Sequence, residues 1–159
     1  MKRFIVFALF LSVFMSGPAI AQLKPDFSGT WVLDLAKSDM GMGRVGAAAP
    51  GARTVTLVIT QTAARLSVER RSGPRPETAI YNLDGSESVN KLPSGNEVKS
   101  ATKWVGATLA TKSAMAIGDM RVETSDVRSL SADGKVMTIE VNRSTARGDV
   151  KQRLVFHKQ

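Results

Sequence analysis

Glu97-Val98-Lys99-Ser100-Ala101-Thr102-Lys103-Trp104-Val105-Gly106-Ala107-Thr108-Leu109-Ala110-Thr111-Lys112 decides the fold, because it is two alternating runs joined at a glycine. Val98, Ser100, Thr102 and Trp104 share one parity, and Glu97, Lys99 and Lys103 the other. A period of two is that of a strand with one face on a core and the other in water. After the Val105-Gly106 reversal, Leu109 and Thr111 resume the apolar and hydroxyl face while Lys112 returns to the charged one. The stretch therefore reads as an antiparallel hairpin.

Outward from this hairpin the same grammar fills most of the chain. Strands are predicted near Phe27–Asp34, Arg53–Gln61, Ala64–Arg71, Thr78–Leu83, Glu87–Asn90, Glu97–Val105, Thr108–Ser113, Met120–Leu130, Lys135–Arg143 and Val150–His157. Asp84-Gly85 and Asp133-Gly134 offer the positive-φ glycine of tight hairpins, and Pro93-Ser94-Gly95 and Arg147-Gly148-Asp149 read as further reversals. No long segment has helical periodicity. Consecutive strands joined by tight turns are antiparallel neighbours, and a meander this long either rolls into a barrel or folds into a sandwich. Closure also removes exposed edges. The expected fold is all-β, an antiparallel up-and-down β-barrel of about eight to ten strands. Ala36 to Ala52, rich in glycine and alanine, breaks the pattern; it reads as a flexible loop (36–52), either a linker or a flap over a barrel mouth.

The beginning of the chain has a different character. Met1, Lys2 and Arg3 precede an uncharged run from Phe4 to Met15, then Gly17-Pro18 and Ala19-Ile20-Ala21. This is the pattern of a secretory signal peptide (1–21) cleaved after Ala21, with an apolar run too short to anchor in a bilayer. Residues 22–159 are then one exported domain, periplasmic or secreted, with no transmembrane segment after cleavage. The formal net charge is +8, of which Lys2 and Arg3 belong to the leader. That balance suits anionic partners such as lipid head groups or an envelope surface. Nucleic acid is disfavoured, because the one Tyr and two Trp are too scattered to stack bases along a basic groove.

Phe27-Ser28-Gly29-Thr30-Trp31, continuing Val32-Leu33-Asp34 and then Lys37-Ser38, resembles the start of the bacterial lipocalin-like domain proteins. More broadly the chain resembles the calycin barrels: lipocalins, fatty-acid-binding proteins and avidins. Lys103–Leu109, Leu130–Thr138 and Gln152–Phe156 resemble later strands and hairpins of the same families. The resemblance implies that Gly29 lets the backbone pass closely while the Trp31 indole plugs the closed end of the barrel. It also implies a cationic side chain across Trp31, for which Arg143, Arg147 and Arg153 are candidates. A match to the second lipocalin motif is missing.

The residues argue for binding rather than catalysis. With no cysteine there is no thiol nucleophile, thiolate metal site or disulfide, and the single histidine, His157, stands three positions from the end. Met40 and Met42 read as apolar loop residues rather than copper ligands. No catalytic residue, metal site or cofactor is assigned. A carboxylate enzyme would need two acids brought together by the fold, and Asp84 and Asp133 are already explained by turns. The inward parity that runs through Thr102, Trp104 and Leu109 continues into Met120, Val122 and Thr124, with Arg121 and Glu123 opposite. These six are the candidate ligand-binding residues, an apolar wall with a few hydroxyls suited to a small apolar or amphipathic molecule. The same list also describes a barrel filled by its own side chains. An interaction protein of the cell envelope, meeting partners through a basic outer face, is the rival reading.

Overall fold

A computed structural model describes residues 24–41, 54–146 and 148–159. The leader, most of the Gly/Ala-rich loop and Arg147 lie outside the described residues. Ten strands follow in order: β1 (Gly29–Leu33), β2 (Thr56–Gln61), β3 (Arg65–Arg71), β4 (Glu77–Asn82), β5 (Asp84–Lys91), β6 (Glu97–Val105), β7 (Thr108–Ile117), β8 (Met120–Leu130), β9 (Val136–Thr145) and β10 (Gly148–Lys158). Each expected strand is present. β7 runs further than expected, through Met115 to Ile117, so much of the apolar Lys112–Asp119 stretch is strand and only its end is turn.

All pairings are antiparallel, in the order β4-β3-β2-β1-β10-β9-β8-β7-β6-β5. The first strand joins the last through Trp31 opposite Lys158 and Leu33 opposite Phe156. That pairing curls the meander into a barrel whose one unpaired seam lies between β4 and β5. The Asp84-Gly85 hairpin expected there is the one turn that differs. Asp84 and Gly85 (φ +89°) lie inside β5, where the register against β6 shifts between Asp84 and Glu87. The chain reverses at Leu83 instead, whose amide donates to the Ala64 carbonyl across the end of β3. Leu83 is buried in the core, so burial of a leucine outweighs the local turn preference of Asp-Gly.

Side-chain hydrogen bonds span the seam. Asn90 Oδ1 accepts from the Ile80 amide at 2.8 Å and Asn90 Nδ2 donates to the Ile80 carbonyl at 3.0 Å. One amide side chain thus supplies the donor and acceptor that a neighbouring strand would have offered. Asn82 Nδ2 adds a bond to the Glu87 carbonyl at 3.2 Å.

The core sits at the end where β1 begins and β10 finishes. Phe27, Trp31, Leu57, Leu66, Leu109, Met137 and Phe156 form one buried cluster there, with Trp104 and Leu130 packed against it. The segment before β1 runs beneath this cluster. Gln61 holds it from both sides, accepting from the Phe27 amide and donating to the Pro25 carbonyl, each at 3.0 Å. At the opposite end, part of the expected flexible loop is tied down. Asp39 makes an antiparallel bridge with Arg153, and buried Ser38 accepts from the Val155 amide at 2.9 Å while donating to the Asp34 carbonyl at 2.6 Å.

Candidate functional site

Trp31 lies fully buried, and its indole Nε1 donates to the Phe27 carbonyl at 2.9 Å. The cation over its ring is neither Arg143 nor Arg153 but Lys158, with Nζ 5.2 Å from the ring centroid. Register explains the choice: Arg153 faces Glu140 on the outer side and Arg143 pairs with Thr124 and Val150, whereas Lys158 stands directly opposite Trp31. Gly29 adopts φ +135°, and a Cβ there would stand 2.6 Å from Lys158 Cε. The backbone therefore requires glycine, whereas the flexible end of Lys158 crossing it could shift aside.

The six candidate ligand-binding residues fall in different places. Thr102 and Leu109 are fully buried, and Trp104 packs on Phe27 with ring centroids 6.1 Å apart. Lys24 Nζ stands 5.5 Å from the Trp104 ring, so this indole belongs to the closed end. Val122 and Thr124 line the inner face further along, paired with Met115 and Ser113. Met120 opens β8 beside the β7–β8 turn and is 49% exposed. It lies about 27 Å along the strand from Arg128, the residue opposite Leu109, at the usual rise per residue. The structure brings together Thr102, Trp104 and Leu109 at one level and Val122 and Thr124 at another, with Met120 apart from both.

From Thr102 upward lies a polar layer whose other members, Thr111, Asp126, Arg128 and Tyr81, are not among the six candidates. Thr102 and Thr111 hydroxyls are 3.0 Å apart, and Arg128 Nη1 donates to Thr111 Oγ1 at 3.1 Å. Arg128 Nη1 also lies 2.9 Å from Asp126 Oδ2, an ion pair with both side chains about nine-tenths buried. The Tyr81 ring faces the guanidinium, 5.4 Å from Cζ. Burial pushes the Asp126 carboxyl above its ordinary value, and the neighbouring guanidinium opposes that shift. Because an arginine keeps its proton at any working pH, a carboxylate in contact with it is the favoured state at neutral pH. Arg128 Nε and Trp104 Nε1 are enclosed without an acceptor, and Asp126 Oδ2, although ion-paired, is enclosed without a hydrogen-bond donor. An orphaned buried polar atom costs about 1–3 kcal/mol, so an acceptor would be welcomed at either N–H and a donor at the carboxylate oxygen.

Above this layer the inner face carries Ser100 and Ser113, whose hydroxyls are 2.9 Å apart, with Thr124 beside them. These residues join Met115, Met120 and the β7–β8 turn in lining an open depression of about 910 Å³. Most of its lining, including Glu97, Lys99, Lys112, Glu123 and Asn142, comes from the outer face of the same strands, so that volume is chiefly an outer depression reaching the rim and is not an enclosed chamber. The charged residues that register turns inward near this end are Glu77 opposite Arg70, and Arg143 opposite Thr124.

His157 occupies a separate outer cluster, its Nε2 3.1 Å from Asp34 Oδ2 and 3.2 Å from Lys37 Nζ. Burial alone would raise the Asp34 carboxyl, but hydrogen bonds from the Lys37 amide, His157 and the Lys37 side chain together hold it below its ordinary value. Ser38 is close in sequence, but its hydroxyl is already committed to the Asp34 carbonyl, so this cluster ties the loop to β10 and offers no free nucleophile. Among the described residues no group of three or more His, Asp or Glu is placed to hold a metal ion.

The overall fold of this antiparallel meander is shared with known proteins. The fold is an antiparallel up-and-down β-barrel of calycin-like architecture. Zebrafish ileal bile acid-binding protein complexed with cholic acid matches with a TM-score of 0.61 at 14% identity, covering 84% of this chain and 98% of that one. A REP1-NXSQ fatty acid transporter matches with a TM-score of 0.59 at 16% identity, over 83% of this chain and 95% of that one. Human cRBP IV matches with a TM-score of 0.56 at 16% identity, over 85% and 99%. No protein-family model and no curated protein matches the sequence. At these identities the likeness is one of fold.

Proposed function

We propose that this protein is an exported binding module that holds one small apolar or amphipathic molecule in the open half of its barrel, without catalysis. The carrying observation is the asymmetry of the interior. One end is sealed by Phe27, Trp31 and Trp104, while the inner face of the other presents Val98, Met115 and Val122 with the hydroxyls of Ser100, Ser113 and Thr124. An apolar wall with a few polar groups is the usual lining of a small-molecule site. Neighbours in fold include proteins described by cholic acid and fatty acid, which supports the same class of ligand here. The Lys2-Arg3, Phe4–Met15 and Ala19–Ala21 pattern supports export to the periplasm or medium.

In this reading Thr102, Trp104 and Leu109 form the floor of the site and Val122 and Thr124 its wall, with Met120 at the rim. The test is titration of lipid-stripped protein with Nile red, an uncharged environment-sensitive dye. Saturable one-to-one binding, displaced by long-chain lipids, is expected. A linear, non-saturating signal together with unchanged thermal stability in the presence of every lipid tried would overturn the proposal and leave a filled barrel that acts through its outer face.

A further inference from the structure

The polar layer carries an inference about the head group of the ligand, and it rests on the binding reading above. Arg128 is 7% exposed, projects from β8 into the barrel, and is the innermost positive charge among the described residues. Its charge is already matched by Asp126, two residues earlier on the same face, at 2.9 Å. Its Nη1 is further occupied by Thr111, and Tyr81 covers the guanidinium face. Two enclosed atoms of the pair are left without a hydrogen-bond partner, the Nε–H of Arg128 and Oδ2 of Asp126, so a neutral oxygen that accepts from the first, and in a hydroxyl also donates to the second, completes the layer. The inner-face pair Ser113–Thr124 lies one step along the strands from Thr111–Asp126, so a head group entering over Ser113 and Thr124 meets this layer next.

We propose that the barrel selects ligands whose polar head is an uncharged hydrogen-bond acceptor, a hydroxyl, ester or ketone oxygen seated at the Nε–H of Arg128, and that it discriminates against carboxylates. The charge arithmetic is the reason. A neutral oxygen satisfies the orphaned donor and adds no charge. A carboxylate would bring a second negative charge beside Asp126, in a water-poor layer where like charges repel strongly and where no uncompensated cation awaits it. Specificity then comes from a repulsive element, Asp126, as much as from the attractive one. Of the other charges that register turns inward, Lys158 lies at the closed end over Trp31, and the rest stand at the open rim, where Arg70 faces Glu77 and Arg143 lies beside Thr124.

The test is competition of hexadecanol, methyl hexadecanoate and hexadecanoic acid against Nile red on the lipid-stripped full chain at neutral pH. The alcohol and ester should displace the dye at concentrations about tenfold or more below the acid, the scale of one misplaced charge in a buried site. Asp126→Asn releases the Arg128 charge and should improve the acid by about tenfold while leaving the alcohol within about twofold. Should Asp126→Asn not fold, the double variant Asp126→Leu/Arg128→Leu keeps the layer neutral and should erase discrimination between alcohol and acid. Wild-type preference for the acid overturns the head-group proposal while leaving the binding module intact. If that preference then disappears in Arg143→Ala, the head group sits at the rim and the proposal is overturned in the same way. Failure of all three lipids and the dye to bind overturns both readings together.

Discussion

Replacing Trp31 by alanine removes the centre of the sealed end, and the structure sets the size of the loss. The indole is fully buried among Phe27, Leu57 and Phe156, so truncation both exposes the cluster and leaves a cavity. Such changes cost about 3–5 kcal/mol for a large aromatic. The Phe27 carbonyl, which accepts from Nε1 at 2.9 Å, loses its partner, and Lys158 loses the ring beneath its ammonium. Those two terms together add about 1–2 kcal/mol. The sum, about 4–7 kcal/mol, is a large share of the roughly 5–15 kcal/mol that typically separates folded from unfolded domains. Trp31→Phe keeps much of the apolar volume and sacrifices mainly the hydrogen bond, so it should cost about 1–2 kcal/mol. Urea unfolding followed by circular dichroism, with Trp104 fluorescence as a second probe, measures both variants. A midpoint shift at constant slope is expected, since the denatured chain is unchanged. A loss under about 1 kcal/mol for Trp31→Ala would refute the argument that this residue is the plug, and equal losses for Ala and Phe would refute the division between packing and hydrogen bond.

Two further outcomes follow from the seam and from the turns. Asn90→Ala removes both hydrogen bonds to Ile80, so amide exchange at Ile80 should quicken about tenfold while exchange at Ile139, in the paired interior of β9, stays unchanged; equal rates at Ile80 would mean the seam is held by something else. The Ser131 hydroxyl and the Lys135 amide hold the Asp133 carboxyl below its ordinary value. A depressed native value means the unfolded chain binds more protons in that window, so this contribution is present above the ordinary carboxylate range and lost as pH falls through the native value. Asp133→Asn should therefore flatten the fall in urea midpoint between neutral pH and about pH 3, and an unchanged slope would exclude this turn as a source of acid lability.

Most of the architecture is readable from alternation and turns. Ten strands are legible because apolar and polar residues alternate along each and glycine marks the reversals at Gly95, Gly106 and Gly134, all with positive φ. The β4–β5 connection is not legible, because Asp84-Gly85 is a strong local turn signal and Leu83 is a strong burial signal one residue before it. Local preference of about 1 kcal/mol loses to a buried leucine worth about 1.5–3 kcal/mol, and only the closed barrel shows that Leu83 has somewhere to go. The cation over Trp31 is hidden for a similar reason. Arg143, Arg147 and Arg153 have the charge and lie towards the chain end, but the β1–β10 register, which decides the matter in favour of Lys158, is set by pairing between distant parts of the chain.

The polar layer is within reach of the same parity rule that finds the candidate wall. On β8 that rule, followed through Met120, Val122 and Thr124, continues directly to Asp126 and Arg128, and register places both inward. A physical reason halts the pattern at Thr124: burying a carboxylate and a guanidinium is costly unless they are paired and hydrogen-bonded, so a strand reading that meets charge on its inner face ordinarily ends there. Here the i, i+2 spacing is itself the compensation, since two residues on one face of a strand stand close enough to form an ion pair. Thr111 on β7 and Tyr81 on β4 then supply contacts that no single segment announces. The polar layer is therefore least visible in sequence at the charges that contradict the surrounding pattern and are reconciled only by residues from other strands.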